Sequence, residues 1–134
     1  MTRHRMQEYD PEHPPPAEEW LALEPDERKR LVEEYYSRVG GYGGSLEVHA
    51  RVHAIIETQL ARQVTPVKAA FVRLRDNGLS RQDAIRAIGS VLGRYIRRIE
   101  DPEDLSSAEN REYFSALEML TADSWFASRA GEPV

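Results

Sequence analysis

Residues 80–99 read SRQDAIRAIGSVLGRYIRRI. Ile85, Ile88, Leu92, Tyr95, Ile96 and Ile99 recur in this stretch mostly three or four positions apart, the spacing that gathers side chains on one face of a helix. Ser80 stands where an N-cap hydroxyl accepts from the first turn, and Asp83 occupies the third helical position of a capping-box-like arrangement. The apolar stripe keeps its phase through Gly89 and Gly93, so the spacing predicts one uninterrupted helix over 80–99. Each glycine would weaken an exposed helix by about 1 kcal/mol relative to alanine, and close packing on that face is expected to offset the cost.

The same period extends outward from this helix. Ser45 caps a helix carrying Val48, Val52, Ile55, Ile56 and Leu60, and Thr65-Pro66 starts another through Val67, Ala70, Phe71 and Leu74. Asn77-Gly78 supplies a left-handed stop between that helix and the 80–99 stretch. Upstream, Pro25 opens a helix through Arg28, Leu31, Val32 and Tyr35, ended by GGYGGS at 40–45, and EEWLAL at 18–23 reads as a short helical turn. Downstream, Asp101-Pro102 breaks the chain before a fifth helix with Phe114, Leu117 and Leu120, followed by a terminal turn around Trp125 and Phe126. No window alternates strictly, so the expected fold class is all-α, a compact bundle of about five helices.

The 134 residues suit one domain. Residues 1–16, with Pro14, Pro15 and Pro16 in series, read as a flexible N-terminal lead-in poorly suited to a core, and residues 17–134 as a single helical domain. The absence of cysteine removes disulfides, thiolate metal sites and cysteine nucleophiles. No apolar run reaches the length of a membrane span and the N-terminus lacks an apolar signal core, so a cytoplasmic location without a membrane partner is expected. A net charge of −5 disfavours general affinity for nucleic acid. Five arginines in 80–99 face only Asp83, whereas residues 100–134 carry nine acids against Arg111 and Arg129, so the acidic segment is expected to neutralise the basic helix.

One constellation points to chemistry. His49 and His53 lie one helical turn apart, about 6 Å, as two imidazoles on one metal ion require, and Glu57 continues the series at the edge of that face. On the 80–99 helix Gln82, Arg86, Gly89 and Gly93 share a stripe. An up-down-up path through the intervening helix would make the two helices parallel, setting His49 opposite Gln82 and His53 opposite Arg86. Arginine is permanently cationic and has no lone pair for a metal, so Arg86 opposes a divalent cation there. Its guanidinium is expected to fill the metal position, beside His53 and within reach of Glu57.

The stretches HARVHAIIETQLA, at 49–61, and GLSRQDAIRAIGSVL, at 78–92, resemble a bacterial family of small helical proteins of unknown function. That family reads H-A-x-x-H-x-x-x-E-x-Q-x-A and then G-L-x-R-H-x-A-I-H-A-I-G-S-V-L. The resemblance runs from about Trp20 to Ile96, and the family's paired histidines look like a metal site. His49, His53, Glu57 and Gln59 match its first motif, whereas Gln82 and Arg86 replace the histidines of its second. The first expectation is therefore a noncatalytic scaffold or interaction module with a degenerate ancestral metal site and no resident cofactor, open to an unidentified protein partner. The competing expectation is a zinc- or manganese-binding protein or enzyme using His49, His53 and Glu57. A third is a helix-turn-helix DNA-binding protein, since 73–98 superficially follows that pattern, but the unbroken stripe through Gly89-Ser90 leaves no room for its turn. No phosphate-loop or serine-triad motif is present.

Overall fold

The computed structural model describes residues 8–99, 101 and 108–130. Among these, every regular element is a helix: α1 (Ala17–Ala22), α2 (Pro25–Val39), α3 (Leu46–Ala61), α4 (Thr65–Asp76), α5 (Arg81–Tyr95), α6 (Ala108–Glu118) and α7 (Ala122–Ala130). The all-α class stands, with seven helices where about five were expected. The turn at 18–23 closes into α1, and the terminal turn around Trp125 lengthens into α7. The Asp101-Pro102 break lies partly outside the described residues.

Capping follows the sequence closely. The Ser45 hydroxyl accepts from the Val48 N–H and that of Ser80 from the Asp83 N–H, while Pro25 and Pro66 sit in the first turns of α2 and α4, where a missing N–H costs nothing. Gly78, at φ 97°, takes the left-handed backbone that ends α4. α5 runs unbroken through Gly89, Ser90 and Gly93 as expected, but it stops at Tyr95 and gives way to a turn over 96–98, one turn short of Ile99.

α3 is the central helix. Its Ala50 and Ala54 pack with Tyr9, Trp20, Leu31, Val32 and Tyr36 on one side. Val52 and Ile56 pack on the other with the apolar faces of α4 to α7, including Leu74, Ile85, Ile88, Leu92 and Trp125. Being covered on both sides, α3 also buries polar residues, namely His53, Glu57, Thr58 and Gln59, and each has a partner. Trp20 Nε1 donates to the Thr58 hydroxyl at 3.0 Å, and the Tyr113 hydroxyl donates to Gln59 Oε1 at 2.9 Å. Arg28 of α2 donates to the carbonyls of Trp20 and Leu21, satisfying the C-terminal end of α1. Arg73 of α4 does the same at the end of α6 through the Leu117 carbonyl, and also donates to the carbonyl of Leu120 in the turn that follows.

Two expectations are corrected here. First, α3 and α5 are antiparallel: Glu57, late in α3, meets Arg81 at the start of α5, and Val52 lies against Gly89 further along. Short turns at 62–64 and 77–79 flank a twelve-residue α4, which swings across the end of α3 instead of returning along it. α5 therefore starts beside the C-terminal half of α3. Second, the stretch over residues 8–16 of the lead-in is part of the fold. Tyr9 is 1% exposed and Pro11 is buried. The lone aromatic amid polar residues and prolines enters the core because its ring meets Trp20 at 5.5 Å and Tyr35 edge-on at 6.2 Å.

Candidate functional site

Tyr9, Tyr36, His53 and Glu57, all buried, and the half-buried Arg81 and Gln82 form one hydrogen-bonded cluster between the N-terminal segment, α2, α3 and α5. The Tyr9 hydroxyl touches both His53 Nε2, at 2.8 Å, and Glu57 Oε2. The Tyr36 hydroxyl lies 3.1 Å from His53 Nδ1 and accepts from Gln82 Nε2 at 3.4 Å, while the Tyr35 hydroxyl donates to Gln82 Oε1. Arg81 grips Glu57 with both terminal nitrogens, at 2.8 and 2.5 Å, a bidentate charge-assisted pair.

Counting donors fixes the direction of every bond. A carboxylate only accepts, so the single Tyr9 proton goes to Glu57 and His53 Nε2–H must donate to the Tyr9 oxygen. With Nε2 protonated in a neutral ring, His53 Nδ1 accepts from Tyr36. Burial, reinforced by His49, Arg81 and Arg86, pushes the His53 imidazole down to about 3. Burial, reinforced by Glu57, holds the Tyr9 phenol well above its ordinary value of 10, so it keeps the proton it donates. The relay runs Gln82, Tyr36, His53, Tyr9, Glu57, and the last acceptor is closed by Arg81. Tyr36, His53 and Tyr9 each accept one hydrogen bond and donate another within the cluster.

The expected site residues thus divide. His53 and Glu57 do meet, bridged by Tyr9. Gln82 reaches His53 only through Tyr36. His49 stands apart, its ring 6.4 Å from that of His53 and packed edge-on against Tyr36 at 4.3 Å, with Nε2 buried and unpartnered. Burial and then Arg86 push its imidazole down to about 4. Arg86 does not pair with Glu57, contrary to expectation; its nearest acid is Asp83 on the same helix, at 3.7 Å. The antiparallel register is the reason. It brings the first turn of α5 to Glu57 and carries Arg86, five residues or about 7.5 Å farther on, toward His49.

A divalent cation fits poorly among these donors. Both His53 nitrogens and both Glu57 oxygens are committed, and Arg86 places positive charge near His49. Among the described residues no three histidine or carboxylate side chains are grouped to hold a metal ion. Sequence reasoning missed Tyr9, Tyr36 and Arg81. Arg81 falls inside the second quoted motif, which was a signal; the two tyrosines offered none, since only the tertiary fold brings them to His53. Neither a family model, nor a curated protein, nor a solved structure matches the chain.

Proposed function

We propose that the chain is a noncatalytic helical scaffold or interaction module in which an ancestral metal position has been taken over by side chains. The observation that carries this reading is the Tyr9 hydroxyl seated between His53 Nε2 and Glu57, with Arg81 holding the same carboxylate. The bacterial family resemblance and a cytoplasmic setting belong to the same proposal. The unbroken α5 and the net charge of −5 support leaving nucleic acid out of it. No described helix is long and apolar enough to cross a membrane.

The test is the metal content of protein purified without an affinity tag, paired with thermal denaturation in the presence of zinc or manganese. The expected result is far less than one ion per chain and an unchanged melting temperature, because a ligand that binds the native state raises it with concentration. Stoichiometric, tightly held zinc or manganese would overturn the reading in favour of a metal site at His49, His53 and Glu57.

A further inference from the structure

A second feature lies between α3, α5 and α7, where a groove of about 420 Å³ opens beside His49. Its size falls within the range of small-molecule sites, about 300–1,000 Å³. The chain has 23 acids against 18 lysines and arginines, yet among the described residues the groove is lined by Arg86 and Arg129 and by no carboxylate. Neither arginine is strongly engaged. Among the described residues the acid within ion-pair range of Arg86 is Asp83, at 3.7 Å, too long for a hydrogen bond, and Arg129 lies over the Trp125 ring at 4.7 Å. The remaining wall is largely apolar, with Val48, Val52, Ile85 and Trp125. At Gly93 the groove is open, since a Cβ there would meet nothing within 4 Å. His49 adds a ring to the wall and, being neutral near pH 7, leaves the charge to the arginines.

We propose that this groove binds a small amphipathic organic anion, an aryl or branched-alkyl carboxylate or phosphate ester, its acid group held by Arg86 and Arg129 and its apolar body set against Val48, the exposed apolar side chain of the wall. Planar guanidinium groups suit both acids, and the apolar wall distinguishes such a ligand from an inorganic ion. The groove meets the Tyr9 cluster at His53, whose two ring nitrogens are already bonded to Tyr9 and Tyr36, while Tyr9 and Glu57 do not line it, so the anion site does not depend on the reading of that cluster.

Fluorine NMR titration of the full chain tests it, with 4-fluorobenzoate, 4-fluorophenyl phosphate and the neutral 4-fluorobenzyl alcohol as probes. At least one anion is expected to bind about tenfold or more tighter than the alcohol, the worth of one charge-assisted hydrogen bond, and the preferred anion identifies the acid group. Arg86→Gln and Arg129→Gln should each weaken that anion about tenfold. Gly93→Leu should abolish binding while circular dichroism stays unchanged, and Arg51→Gln, in the separate groove between α2 and α3, should have no effect. Should leucine perturb the helix, the two arginine variants still decide. The proposal falls if neither anion binds at millimolar concentration, if the alcohol matches the anions, if both arginine variants bind normally, or if Arg51→Gln weakens binding as much as they do.

Discussion

Tyr9 and His53, 44 positions apart in the chain, share a buried 2.8 Å hydrogen bond, and the same Tyr9 hydroxyl donates to the Glu57 carboxylate. Removing the phenolic oxygen strands His53 Nε2–H and takes one donor from Glu57, and a buried polar group left unpaired costs about 1–3 kcal/mol. Tyr9→Phe is therefore expected to destabilise the fold by that amount. Tyr36→Phe should cost less, because Tyr36 adds a weaker 3.1 Å contact at the other nitrogen. Urea denaturation of the two variants beside the parent checks the order; equal midpoints for Tyr9→Phe and the parent would show that the contact contributes nothing.

Acid should weaken the fold through its two buried imidazoles. His53 is depressed to about 3 and His49 to about 4, against 6.5 for a free imidazole, so below pH 6.5 the unfolded chain binds protons that the native state refuses. Stability is full above pH 6.5 and falls as pH drops toward the folded values. His53 alone gives a slope of about 1.4 kcal/mol per pH unit in that window. Denaturation midpoints between pH 7 and 4.5 should show the decline, and His53→Gln should reduce it by about half, leaving the part due to His49. A flat profile in the parent would mean that both imidazoles ionise freely in the folded protein.

How far the sequence disclosed this molecule depends on the range of the interactions involved. Helix starts and stops were legible because Ser45, Ser80, Pro25, Pro66 and Gly78 act on backbone within four residues of themselves. The continuity of α5 was legible because its apolar stripe is a local period. The direction of α5 against α3 was not, since it is set by how α4 leaves two three-residue turns, and one wrong direction moved the partner of Glu57 from Arg81 to Arg86. Tyr9 was invisible for a related reason: its neighbours are polar residues and prolines, and its burial depends on Trp20, Tyr35 and His53, all distant in the chain.

The two glycines facing α3 and the groove should behave oppositely. A Cβ at position 89 would lie 3.1 Å from Val52 Cγ1, whereas one at position 93 would meet nothing within 4 Å. Gly93→Ala thus gains helix propensity without a clash, about 0.5–1 kcal/mol of stabilisation. Gly89→Leu drives a large side chain against a β-branched one whose rotamer is fixed by its helix, and should destabilise by about 1–3 kcal/mol. Thermal melts of both variants test the contrast; a tolerated leucine at 89 would mean that α3 and α5 separate there at little cost.

Removal of residues 1–16 should be damaging, although their composition suggests a dispensable lead-in. Tyr9 fills core volume beside Trp20, and truncating a buried aromatic costs about 3–5 kcal/mol. The segment also serves α5. Glu12 accepts from the backbone N–H groups of Arg81 and Gln82, the latter at 2.7 Å, which places a carboxylate on the positive end of the helix dipole, and the Pro11 carbonyl accepts from the Arg81 guanidinium. Without the segment the Arg81–Glu57 pair loses its cover, and Trp20 and His53 lose their packing partner. Chemical denaturation should put the shortened chain more than about 3 kcal/mol below the full one. Tyr9→Ala should reproduce most of that loss, while Glu12→Gln should cost only about 0.5–1 kcal/mol. If the shortened chain unfolded at the same midpoint as the full one, the segment would be an ornament on a domain that folds without it.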